Sequence, residues 1–320
     1  MRLILDIDWV GSLGRAWKHR ESIESSKYTD SWRLFHGYEE GAKGVVIEKF
    51  GTMAIVEFKD DIRDQLPLIR DVLLSLFPFS LIIAKGKQSI GLSLRERMFA
   101  LHGDFNQATE FASEYGVFYA LQADAIHNCG LYVDARPVRR WLLDNSKDLR
   151  ILNLFAFVGS LGIAALKGGA REVVHLDKSK ALLPRIKRSY GKNDLKFDER
   201  NFLQGDIYKH LPKAIKHKQF FDGIILDPPP KVYKSPHSKH QPKGQDFSSL
   251  VKYCSKLLNS GGWLICLFHR FDSTWDESDL EIIQASGGTL DVSERFTSEC
   301  DFPESDIENK LRVTIFNKHA

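Results

Sequence analysis

Apolar residues recur along this chain in two rhythms, and the switches between them mark its elements. Short apolar runs at 45–50 and 54–58 flank Gly51, the pattern of a hairpin. Leu66, Ile69, Val72, Leu73 and Leu76 then fall at helical spacing, and residues 81–84 with 92–94 read as a second strand pair. The polar stretch 103–112 has no clear period and marks a boundary. Beyond it, residues 114–121 open as a strand and Pro137 suits the first turn of a helix over 138–144. Strand patterns follow at 151–157, 173–176, 202–206, 221–227, 263–268, 290–296 and 311–316. Helical patterns separate them at 163–166, 180–192, 247–258 and 280–285, so strand and helix alternate as in a parallel α/β sheet. The last two strands are joined by residues 297–310, which show no helical pattern and suit an antiparallel final hairpin. Residues 1–28 predict a surface helix and a loop. The expected organisation is an N-terminal segment (1–28), a small α+β hairpin domain (29–110) and a seven-stranded, Rossmann-like α/β domain (111–320).

The chemistry is concentrated in the second half. An apolar strand at 151–157 runs into Gly159 and Gly162 at a helix start, and the next strand ends on Asp177. Gly-x-x-Gly at a helix start lets a ligand approach backbone amides, and a carboxylate ending the next strand can hold both hydroxyls of a ribose. Phe157 stands where the nicotinamide fingerprint has its first glycine, so a cofactor without a pyrophosphate, S-adenosylmethionine (SAM), fits better. Seven strands is also the count of a SAM-dependent methyltransferase fold. Asp206, ending the third strand, reads either as an acceptor for the adenine amine or as a plain strand-end acid.

Asp227 ends the fourth strand, where ligands of such sheets collect. Pro228, Pro229 and Pro230 follow it, lacking backbone donors and restricted in φ, so nearby carbonyls are expected to stand as rigid acceptors. An acid beside fixed carbonyls can grip an exocyclic amine or a ring N–H; the alternative is a rigid structural turn. Amine methylation usually sets an aromatic in the fourth position, occupied here by Pro230, and Tyr233 is the nearest substitute for stacking a base. Residues 231–243 contain Lys231, Lys234, Lys239 and Lys243 without one acid, a loop suited to a phosphate backbone or simply to solvent. His237 and His240 lack an accompanying Cys or carboxylate, so no metal is expected there.

Composition limits the alternatives. The chain has 320 residues, 43% of them hydrophobic, and a net charge of +3, too mild by itself to require a polyanionic partner. Cys129, Cys254, Cys266 and Cys300 form no Cys-x-x-Cys pair, which fits free thiols rather than zinc or disulfides. The first residues are interrupted by acids too early for a signal peptide, and no apolar run spans a membrane, so a cytoplasmic protein without membrane contact is expected. Oligomeric state stays open.

With these residues in hand, the chain resembles the ribosomal RNA methyltransferase family whose best-known members make 5-methylcytosine in large-subunit rRNA. The resemblance runs from about Thr29 to the C-terminus. It rests on Thr29, Asp30, Arg33 and Leu34 with His36–Gly37 and the pair Gly41 and Gly44; on Gly130, Tyr132, Asp134 and Arg136; on Asn153 and Phe155 with Gly159 and Gly162; on Gly168, Gly169 and Ala170; and on Asp227 with its prolines. It implies a SAM cofactor, an RNA substrate, and a site in which Tyr132, Asp134, Arg136, Asn153, Phe155 and Ile207 join Gly159, Gly162, Asp177, Asp206 and Asp227 around the cofactor. Asp227 and Pro228 would hold the base. Two departures stand out. The 28 or so residues before Thr29 are too few for the RNA-binding PUA domain frequent in the family, so RNA capture falls to another surface. Those enzymes also attack cytosine C6 with a thiolate after the fifth strand, and the aligned residue here is His269, while Cys266 falls on the opposite strand face. The implied reaction is base methylation without a covalent cysteine intermediate, with His269 as the candidate base. The alternatives are a methyltransferase of a small molecule or protein, and an RNA-binding relative without turnover.

Overall fold

The computed structural model describes all residues except 1–6, 25, 27, 88–92, 126–127, 234–245, 270–271 and 320. Two compact units divide the chain: residues 1–134 with 299–305, and residues 135–298 with 306–320. The expected boundary near residue 110 and the observed division after Asp134 differ by one hairpin and the loop that follows it. The first unit also takes in residues 299–305, from within the loop that joins the last two strands.

In the first unit, β1 (Ser31–His36), β2 (Val46–Phe50), β3 (Met53–Phe58), β4 (Leu81–Gly86) and β5 (Met98–His102) form a sheet in sequential order. Phe50 pairs with Met53 across a two-residue turn, giving the expected hairpin β2–β3. Two expectations need correction. The strand expected at 92–94 begins instead at Met98, after the short helix α4 (Leu94–Arg97), here numbered after α1 (Trp9–His19), α2 (Glu21–Glu24) and α3 (Leu66–Leu76). Residues 114–121 are not one strand but the second half of a hairpin, β6 (Phe111–Glu114) and β7 (Val117–Ala120), which reverses at Tyr115 and Gly116, both at positive φ. Helix α1 is capped by Asp8, which accepts the Gly11 N–H at 2.9 Å, and this expected surface helix buries Trp9, Leu13 and Ala16 in the core of the unit while Val10, Arg15, Lys18 and His19 stay exposed.

The family-like motif at 29–33 is a set of stitches. Asp30 accepts the Ser113 N–H at 2.8 Å, joining β1 to β6, and Arg33 pairs with Glu48 of β2 at 2.8 Å. Burial pulls the Arg33 guanidinium down, but Glu48 outweighs it and holds the group above its ordinary value. Residues 299–305 complete this network, with Asp301 accepting the Arg33 N–H at 3.0 Å and Glu304 pairing with His36 at 3.0 Å.

The second unit is built on a seven-stranded sheet in the order β10–β9–β8–β11–β12–β14–β13. These are β8 (Arg150–Leu154), β9 (Glu172–Asp177), β10 (Phe202–Gln204), β11 (Phe221–Leu226), β12 (Leu258–Phe268), β13 (Leu290–Thr297) and β14 (Arg312–Lys318). The first five are parallel and β14 is antiparallel to both its neighbours, as expected. The order reverses between β8 and β11, which opens a crevice at their carboxyl ends. Helices α5 (Arg136–Asn145), α6 (Ser160–Lys167), α7 (Leu183–Lys192), α8 (Ile207–Lys216), α9 (Phe247–Leu257) and α10 (Trp275–Ala285) cover the sheet. Helix α10 starts earlier than its apolar spacing implied, at a capping box formed by Thr274 and Glu277. Alternate residues of each strand go to opposite faces: Ile151 and Ile225 pack under α5 and α6, Leu152 and Leu226 under α8 and α9. Among the described residues no helix is long and apolar enough to cross a membrane.

Candidate functional site

Two strand ends of the second unit carry the candidate chemistry. At the first, β8 ends at Leu154 and the chain turns through Phe155 (φ 56°), Phe157 (φ 47°) and Gly159 (φ 78°) into α6. Two aromatic residues in the left-handed region cost about 1–3 kcal/mol each, so the turn needs external support. Asp177 supplies it. One carboxylate oxygen accepts the Phe157 N–H at 3.0 Å and the other the Ser179 N–H at 2.9 Å. About two of the carboxylate's roughly four lone-pair positions stay open. The side chain is partly exposed, so a ribose hydroxyl can still donate to it. Asp177 and Gly159 therefore fit an adenosyl cofactor.

Three of the other expected cofactor residues lie in the core. Asn153 is 1% exposed, and its amide Nδ2 lies 3.3 Å from His175 Nδ1. A Cβ added at Gly162 would stand 2.4 Å from His175 Cε1, so close packing of α6 on β9 by itself requires this glycine. Ile207 opens α8 with its side chain inside the apolar cluster. Phe155 packs partly against the same cluster. Asp206 caps α8 by accepting the Tyr208 N–H at 3.0 Å and pairs with Lys178 at 3.4 Å, so it belongs to the helix start two residues beyond β10. Tyr132, half exposed, and Asp134 belong to the first unit, where the Asp134 charge acts on Arg33 and Glu48. Arg136, buried, opens α5 in the second.

Under the glycine turn lies a network the sequence did not reveal. His175 Nε2 lies 2.9 Å from the Tyr190 hydroxyl, its ring stacks on Phe202 with centroids 5.0 Å apart, and Asn153 meets its other nitrogen. Burial lowers the His175 pKa to about 3, so the ring is neutral at pH 7. A histidine two residues before a strand-end acid, opposite two glycines, was the available signal.

At the second strand end, β11 and β12 bring Asp227 and His269 together, with Asp227 Oδ1 3.0 Å from His269 Nε2. Both side chains are partly exposed, at 27% and 32%. Pro228 is buried, and the Pro229 carbonyl accepts the Val232 N–H at 2.9 Å. That carbonyl therefore serves a local turn, the structural role that stood as the alternative for the proline run. Cys266 lies on the other face of β12, fully buried in the cluster with Phe268 and Leu264, and burial pushes its thiol well above the ordinary range. A thiol so placed is neither ionised nor directed to the Asp227 side. The basic loop from Lys234, with His237 and His240, lies outside the described residues. Among the described residues no group of three or more His, Cys, Asp or Glu is placed to hold a metal ion.

Comparison with known proteins bears on the family and the fold. Residues 83–317 match the family model of S-adenosylmethionine-dependent methyltransferases. A ribosomal RNA large subunit methyltransferase I from Cronobacter sakazakii is 27% identical over 301 residues, covering 91% of this chain and 74% of that one. Among solved structures, a protein from Streptococcus mutans described as a SAM-dependent methyltransferase superposes with a TM-score of 0.83 at 20% identity, covering 97% of this chain and 80% of that one. Another, described as a methyltransferase complexed with SAH, gives 0.82 at 20% identity with the same coverage. The matched span includes the sheet, the glycine turn and both strand-end carboxylates, and the chain belongs to the S-adenosylmethionine-dependent methyltransferase family.

Proposed function

We propose that this methyltransferase modifies a nitrogen of a base in RNA, most specifically ribosomal RNA, in the cytoplasm and without a covalent cysteine intermediate. The observation that carries the reading is the Asp227–His269 pair, 3.0 Å apart at the end of β11, with Cys266 sealed on the opposite strand face. The relatives named as large-subunit rRNA methyltransferases supply the substrate class.

Bound SAM supplies an electrophilic methyl group attached to sulfur. Gly159 and Asp177 would hold its adenosyl side, and Asp227 would accept a hydrogen bond from the N–H of the target base, aligning the nitrogen lone pair. On receiving the methyl group, the nitrogen loses its proton. The Asp227–His269 pair takes that proton and, being partly exposed, passes it to water.

The test is transfer of labelled methyl from SAM to rRNA purified from cells lacking the protein, followed by mass mapping of nucleosides. An N-methylated base, still formed by Cys266→Ala, is the expected product. Labelling confined to a small molecule or a protein would overturn the substrate, and 5-methylcytosine lost in Cys266→Ala would overturn the chemistry.

A further inference from the structure

The charge of this chain is unevenly distributed. Residues 178–218 hold twelve Lys and Arg against four Asp and Glu, a net +8, whereas the whole chain is only +3, so the remaining residues together carry −5. This segment is α7, the edge strand β10 and α8 with their loops. Tyr190 of α7 reaches His175 on one face of the sheet, while Leu211 of α8 packs with Leu152 and Leu154 on the other, so the two helices clasp the sheet edge from both sides. Lys209, Lys213, Lys216 and Lys218 are exposed, and none is in an ion pair with a described residue.

Beneath α8 the same surface opens into a cleft of about 550 Å³. Leu152, Val174 and Leu176 lie along its floor, and Arg150, Arg200 and Lys213 stand at its sides. Arg150 and Arg200 are paired with Glu172 and Asp198, and Lys213 is in no such pair. Arg150, Glu172 and Phe221, the first residues of β8, β9 and β11, also line it, so the cleft reaches the amino ends of the strands. Asp177 and Asp227 lie beyond the opposite ends of these strands, roughly 17 Å from that amino-end mouth at the rise of a five-residue strand, although Leu176 carries the cleft floor to the residue before Asp177. A volume in the usual range of ligand pockets, an apolar floor, and Lys213 at its side with Lys209 and Lys216 on the same helix suit one unstacked nucleotide whose neighbouring phosphates lie along α8.

We infer that the α7–β10–α8 edge is an RNA-docking face separate from the methyl-transfer site, with α8 tracking the sugar–phosphate backbone and the cleft taking one base. The inference rests on the RNA reading above and adds where the body of that RNA is held. Counterion release makes the face measurable, because each phosphate contact adds about 0.7–0.9 to the slope of log affinity against log salt.

The experiment compares the wild type, the triple variant Lys209→Gln/Lys213→Gln/Lys216→Gln, a control triple variant Lys18→Gln/Lys43→Gln/Lys147→Gln, and Ala214→Phe, which narrows the cleft without changing charge. RNA binding across a salt series, KM and kcat for rRNA, and SAM binding by calorimetry are measured for each. The α8 variant is expected to lose about 2–3 from the salt slope and to raise KM for rRNA about ten- to a hundredfold, with kcat at saturating RNA and SAM affinity retained. Ala214→Phe is expected to raise KM with its slope retained. An α8 variant matching the control in slope and KM overturns the inference while leaving the RNA reading intact. So does equal loss of binding to heparin without a change in rRNA KM, which would make the face a general polyanion patch. A wild type that binds no RNA overturns both.

Discussion

The second unit contains two histidine–carboxylate neighbourhoods one sheet strand apart, and they behave in opposite ways. His175 and Asp177 occupy the β8–β9 end, where the ring is sealed between Asn153, Tyr190 and Phe202 and the carboxylate is bound to backbone N–H groups. His269 and Asp227 occupy the β11–β12 end, where the two side chains face each other and both meet solvent. The same residue types thus serve rigidity in one place and, in the function proposed above, proton handling in the other. Satisfied by backbone and held neutral, the first pair can fix a strained turn; partly exposed and mutually paired, the second can change protonation during a reaction.

Replacing Asp227 by Ala strikes the reactive pair and has the largest expected effect, a fall in single-turnover methyl transfer of about 10²–10⁴ with thermal melting essentially unchanged. Asp177→Ala strikes the structural carboxylate and frees two backbone N–H groups under two left-handed aromatics. Calorimetry should show SAM affinity lowered about ten- to a hundredfold, since each unsatisfied group costs about 1–3 kcal/mol and the turn relaxes. In Gly162→Ala the new Cβ meets the His175 ring at 2.4 Å and Val173 at 2.8 Å, so a urea titration should show about 1–3 kcal/mol of lost stability.

The smallest effect separates the two histidines by pH. The folded-state pKa of His175, about 3, lies below the unfolded value near 6.5, so its neutral form stabilises the fold above pH 6.5 and that contribution disappears as pH falls toward 3. Between pH 7 and 5.5 the loss is about 1 kcal/mol. The urea midpoint of His175→Gln should fall less steeply than that of the wild type over this interval; parallel curves would mean that His175 is not held neutral. His36, lowered to about 4 mainly by burial and next by Arg33, adds a slope of the same sign in the first unit.

How far the sequence revealed this molecule depended on which force set each feature. The inner strands β8, β9, β11 and β12 were legible because burial on both faces writes continuous apolar runs, and Asp227 and His269 could be placed by counting to the ends of two such runs. Hairpin β6–β7 was less legible, since its reversal uses Tyr115 in the left-handed region where composition announces only Gly116. The first half of α10 was hidden by its mixed composition, although Thr274 and Glu277 spelled a capping box. Asn153, Gly162 and Ile207 were read as ligand contacts from their motif positions. Their packing partners in the fold, His175 for the first two and the α8–α9 core for the third, depend on strand pairing that no local pattern encodes.

The short segment 299–305 has a consequence for vectorial synthesis. Asp301 accepts the Arg33 N–H, and its carbonyl accepts from the buried Arg20 guanidinium, 281 positions earlier in the chain. A nascent polypeptide emerging amino end first can assemble β1–β5 early. It still lacks these acceptors until nearly all of its length has been translated, so the first unit to appear is among the last to be completed, and cutting the gene after codon 134 would yield a fragment with an unfinished seam.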